Sequence, residues 1–161
     1  MGLTIEIYSA DLQELVALFA EESSWAYEDV APFLEKLETH PVADLSLHLR
    51  IPEDMDSLCE ALRKQHLPVP STFRDMLIEQ LWVDRPKRPT ESLTLLANRF
   101  ASALAESEDH QIEHAALDWA ATFPYTEPLQ KTPAYQAMLR LREIAKDAVD
   151  HQKSLILHLV G

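Results

Sequence analysis

The sequence predicts a predominantly helical α+β fold, with a small three-stranded sheet (residues 3–8, 44–51 and 154–160) covered on one face by six or seven helices. Three observations carry this. Apolar residues recur at helical spacing through most of the 161-residue chain. Three short segments alternate apolar and polar side chains instead. No glycine occurs between Leu3 and Val160, where average usage of about 7% would place roughly eleven. That absence removes the Asn-Gly and Asp-Gly hairpins, and with them GxxxxGK[ST], GxGxxG and GxSxG in standard form.

In chain order, Leu3-Thr4-Ile5-Glu6-Ile7-Tyr8 reads as a strand by alternation and β-branching. Ser9 or Asp11 then caps a helix that places Leu12, Leu15, Val16 and Phe19 on one face. A second helix covers 27–38, with Pro32 in its first turns. In residues 44–51, Leu45, Leu47, Leu49 and Ile51 point one way, and Asp44, Ser46, His48 and Arg50 the other. Pro52-Glu53-Asp54 opens a helix with Met55, Leu58, Cys59 and Leu62 inside. Helices follow at about 72–83 and, from a Thr90 cap, through Leu93, Leu96, Ala97, Phe100 and Leu104. Between them Arg85-Pro86-Lys87-Arg88-Pro89 forms a stiff basic connector within one domain of residues 1–161. A helix from Ser107 ends at Pro124, another runs over 133–151, and residues 154–160 close the chain as a strand.

Net charge is −13, and residues 1–84 hold 17 Asp/Glu against 5 Lys/Arg. That sign argues against recognition of nucleic-acid phosphate through the first half and permits a basic protein partner, while acidic helix backs also serve solubility. No apolar run is long enough to span a membrane, and the first residues lack a signal-peptide pattern. A single cysteine, Cys59, fits a reducing compartment, so a cytoplasmic location is expected.

Two constellations could carry chemistry. His110-Gln111-Ile112-Glu113-His114 spells HxxEH, which resembles the zinc motif of the inverted-motif metallopeptidases. The resemblance implies zinc held by His110 and His114, Glu113 as base, and a distant glutamate ligand for which Glu143 is the candidate. The apolar stripe of this helix points almost opposite to His110, so the pair is expected on an outer face without a cofactor. The second constellation is the open face of the predicted sheet. There Glu6, Tyr8, His48, Arg50 and His158 could bind a small anion or move protons.

The leading expectation is a non-enzymatic protein-interaction module, comparable in size and acidity to immunity or antitoxin proteins, acting through residues 1–84. The alternatives are a metal-dependent hydrolase at the HxxEH row and small-anion binding on the sheet face.

Overall fold

Strands that alternate apolar and polar residues must put one set against each side of a sheet, and the two end strands do so here. The computed structural model describes residues 4–24, 31–47, 53–82 and 91–160. Along the chain it places β1 (Thr4–Ala10), α1 (Leu12–Ser24), α2 (Ala31–Glu38), β2 (Val42–Asp44), α3 (Glu53–Lys64), β3 (Leu77–Trp82), β4 (Glu91–Leu96), α4 (Asn98–Glu106), α5 (Asp109–Ala120), α6 (Pro133–Asp150) and β5 (Ser154–Val160). The strands form one antiparallel sheet in the order β2-β1-β5-β4-β3, with β5 at its centre.

The sheet has five strands, which corrects the expected three. Both added strands lie where helices are predicted, in 72–83 and after Thr90. The apolar pair Phe73 and Met76 sits in a single 3-10 turn, after which Leu77–Trp82 extends as a strand. In β4, Glu91 to Thr94 are buried in succession, because this strand is covered on both faces and loses its period-2 signature. Leu93 and Leu96, spaced three apart, mimic a helical stripe, the known ambiguity of short apolar runs.

The sheet is also covered on both faces rather than one. Ile5, Ile7, Leu155 and Leu157 join a large core with α3, α4, α5 and α6. On the other face Tyr8, Ala10, Leu93 and Ile156 pack against Leu12, Leu15, Leu18 and Phe19 of α1.

Of the strand expected over 44–51, only Asp44 lies in the edge strand β2, and the chain leaves the ladder at 45–47. Residues 48–51 lie outside the described residues; side-chain chemistry explains the early end. The Ser46 hydroxyl oxygen accepts from the Ile5 N–H (3.0 Å), taking the place of a backbone partner. The Asp44 carboxylate in turn accepts from the Ser46 N–H (2.8 Å), turning the chain. His48, Arg50 and the 85–89 connector lie outside the described residues.

Several helices follow their sequence signals closely. In α3 the inner face is Met55, Leu58, Cys59 and Leu62 as expected, with acids in the first turn and Arg63 and Lys64 in the last. Asp54, expected at an exposed helix end, is buried, and its carbonyl accepts from the fully buried Trp119 indole (2.9 Å). Thr132 caps α6 ahead of Pro133, accepting from the Tyr135 N–H. α5 begins at a capping box of Glu108 and Gln111; the Ser107 hydroxyl instead donates to the Leu104 carbonyl and closes α4.

The lack of glycine has a measurable consequence at two helix ends. His66 after α3 (φ 64°) and Gln152 after α6 (φ 54°) occupy the left-handed region where glycine normally sits. Both complete Schellman closures. Leu67 N–H donates to Leu62 O and Lys153 N–H to Ala148 O, with His66 N–H to Arg63 O and Gln152 N–H to Val149 O inside them. A Cβ in this conformation costs roughly 1–2 kcal/mol. We therefore expect His66→Gly and Gln152→Gly each to stabilise the fold by about 0.5–1 kcal/mol, after the added freedom of glycine in the unfolded chain is offset. Urea midpoints that fall in both variants would contradict this.

Candidate functional site

The antiparallel register of β1 and β5 sets Glu6 directly opposite His158. On the other side of β5, Leu93 faces His158, so Glu91 lies two residues along β4 on the same face of the sheet. The imidazole is held between two carboxylates: Nδ1 lies 3.0 Å from Glu6 Oε2 and Nε2 lies 2.7 Å from Glu91 Oε1. Tyr8 donates its hydroxyl to the same Glu6 oxygen (2.8 Å). Phe19 of α1 packs on the ring at 4.8 Å between centroids, and Tyr8 flanks it.

The site is sealed. The His158 side chain is 6% exposed and that of Glu91 0%; Glu6, at 27%, is the one carboxylate that reaches solvent. The structure thus brings Glu6, Tyr8 and His158 together, but under α1 and not on an open face. Glu91 is a member that sequence reasoning missed. Read as the first turn of a helix it carried no signal; read as β4, its alternation with Leu93 places it beside His158.

Counting protons defines the electrostatics. An ionised carboxylate only accepts, so each of the two contacts needs a proton, and a neutral imidazole supplies one. The cluster therefore carries one proton more than a neutral ring and two carboxylates. Burial opposes charge on His158, but hydrogen bonds to Glu6 and Glu91 and their charges outweigh it and raise its pKa above the ordinary 6.5. The His158 hydrogen bond holds the Glu6 carboxyl below its usual value against the opposing effect of burial, with Tyr8 adding to it. Burial first, then the Glu6 charge, pushes the Tyr8 phenol well above its ordinary range.

This arrangement leaves no nitrogen of His158 available to a substrate, and Tyr8 is a poor acid. Nor does it cradle a metal, since the carboxylates bond opposite edges of the ring and their oxygens do not converge. Elsewhere, His110, Glu113 and His114 are exposed on α5. The imidazoles of His110 and His114 stand 6.3 Å apart, and His110 Nδ1 lies 3.2 Å from Glu108. Glu143 is exposed on α6 and pairs with Arg140 (2.9 Å). Among the described residues no three His, Cys, Asp or Glu side chains converge as metal ligands.

Ser9, Asp147 and His151 form a chain of contacts in which Ser9 donates to Asp147 (2.7 Å) and His151 Nδ1 lies 3.1 Å from the same carboxylate. The carboxylate is in the middle, so the imidazole cannot take the hydroxyl proton as it does in a serine triad. Burial pushes the Cys59 thiol up to about 12, which keeps it protonated and unreactive.

The sign of the pH dependence follows. Stabilisation from His158 is fully present below 6.5 and is lost as pH rises through its raised folded value. Stabilisation from Glu6 is fully present above 4.5 and is lost as pH falls through its lowered folded value. Both act together between 4.5 and 6.5, and there His158→Leu should cost about 3–5 kcal/mol in urea unfolding, the cost of removing one partner from a buried ionic cluster. The penalty should shrink on the alkaline side, and a penalty independent of pH would contradict the proton count. No protein-family model matches this chain, and no curated protein or solved structure matches it significantly.

Proposed function

We propose that this chain is a non-enzymatic protein-interaction module that docks a basic polypeptide through the carboxylates of the α1–α2–β2 layer. The observation that supports it is the way the sheet divides the charged side chains. On the α1 side Asp11, Glu14, Glu35, Glu38 and Asp44 are exposed, with Lys36 as the exposed cation among the described residues of those elements. His40 adds no charge there at neutral pH, because burial, reinforced by Lys153, lowers its pKa.

The opposite layer is mixed. Three of its exposed carboxylates have cations beside them, Glu60 with Lys64 (3.9 Å), Glu143 with Arg140 (2.9 Å) and Asp109 with Arg142 (2.5 Å). Glu53, Glu106, Glu113 and Asp118 are exposed there too, as are the cations Arg63, Lys131 and Lys146. A face whose carboxylates go with few cations steers a basic partner to itself, where acids interspersed with cations serve solubility. The reading is of the same kind as the immunity and antitoxin comparison, which rests on size and acidity alone.

A lysine-rich peptide titrated into isotope-labelled protein at low salt should shift the amides of residues 11–20 and 35–47. The double reversal Glu14→Lys with Glu38→Lys should weaken binding by roughly tenfold or more, and raising salt from about 0.01 to 0.1 M should weaken it likewise. Glu53→Lys with Glu60→Lys, on the opposite layer, is the control and should change little. Equal responses on both faces would overturn the docking face.

A further inference from the structure

We propose that α1 is a proton-controlled lid, closed over the sheet while the Glu6–His158–Glu91 cluster holds its extra proton and released when that proton is lost. The geometry carries this. One helix roofs the cluster, through Phe19 on the imidazole and through Leu12, Leu15 and Leu18 on the surrounding apolar residues. The four helices of the other layer pack on the opposite side of the sheet, against Ile5, Ile7, Leu155 and Leu157.

Among the described residues the groups facing the imidazole are these. β1 contributes Glu6 and Tyr8, β4 contributes Glu91, and Asp44 of β2 acts on Tyr8 from the sheet edge. From β3 the inward residue is Leu81, with Glu79 exposed; from β5 the neighbours on this face are Ile156 and Val160. The described side chains that α1 brings to the cluster are apolar, since Asp11, Gln13 and Glu14 are exposed. Among its described side chains the lid therefore supplies no charge to replace the proton.

When His158 becomes neutral, one of its nitrogens turns a lone pair toward an ionised carboxylate at hydrogen-bond distance. The contact changes from attractive to repulsive in a site that water reaches only at the Glu6 side. Lifting α1 hydrates both carboxylates and costs one apolar interface, while the larger core stays intact. This is a local opening, which distinguishes it from the global pH dependence above. The lid works the same way whatever binds the acidic face.

The test is amide exchange on the full chain across the alkaline range, corrected for intrinsic base catalysis, with the His158 ring followed by NMR. Protection in residues 12–20 should fall by up to tenfold per pH unit between 6.5 and the raised value of His158 under the closed lid, as a one-proton linkage requires. Protection in α6 should hold. In Glu91→Gln the amide can donate to a neutral ring nitrogen, so the lid no longer needs the proton and the step should vanish. Glu6→Gln makes the same test from the other side if the first variant folds poorly. Three results would overturn the lid: α1 and α6 losing protection together, α1 remaining protected after His158 is neutral, or the step persisting in both variants.

Discussion

An ion taken out of water inside a small domain costs several kcal/mol unless its partners compensate for it. His158 lies on the central strand with both ring nitrogens committed, one to β1 and one to β4. The remaining geometry of that face follows from satisfying it. Glu6 must sit opposite on β1, Glu91 must sit diagonally on β4, and an apolar roof must exclude the water that would otherwise compete. The same strand sends Leu155 and Leu157 the other way into the large core, so one seven-residue segment organises both layers. The charged cluster and the apolar core are two consequences of one alternation.

A backbone without internal glycine has to turn by other means, and it does so with proline, side-chain caps and tolerated strain. α6 starts at Thr132-Pro133, α5 at a glutamate capping box, and β2 ends where Asp44 and Ser46 replace the ladder with side-chain hydrogen bonds. Among the described residues, only the two Schellman closures oblige non-glycine residues to take positive φ. In both, the following residue returns the chain toward the core, Leu67 beside α3 and Lys153 just before β5. The left-handed residue after α6 therefore sets the approach of β5, and through it the position of His158.

What could be read in the sequence depended on whether a segment faced one environment or two. β1 and β5 are legible because each separates unlike side chains, Ile from Glu or Leu from His, and α3 and α6 because each buries a single stripe. β4 was not, since its two buried faces erase the alternation, and the Leu93–Leu96 spacing is shared with helices. β3 was hidden by the 3-10 turn that precedes it and by a bulge between Leu77 and Glu79. The site inherits this division. Glu6, Tyr8 and His158 come from legible strands, and Glu91 from an illegible one. The stripe of α1 showed that the helix packs on something, but a stripe carries no information about which face of which sheet receives it. An open polar face and a roofed one therefore look alike in sequence.

An apolar replacement of the cluster would in general be neutral or stabilising, because desolvation consumes much of what the pairing returns. What the cluster provides beyond stability is discrimination between registers. A one-residue slip of β5 against its neighbours turns His158 toward Met138, Leu141 and the rest of the large core, and strands Glu6 and Glu91 under α1 without their cation. Leucine and isoleucine on β5 would tolerate that slip far better, since both faces of the sheet are apolar. In a sheet buried on both sides, hydrophobic patterning alone specifies register weakly, and a single ion with partners on two strands specifies it strongly. The same ion ties the closed position of α1 to a proton. The feature that fixes which residues pair is thus also the one that makes the covering helix responsive to pH.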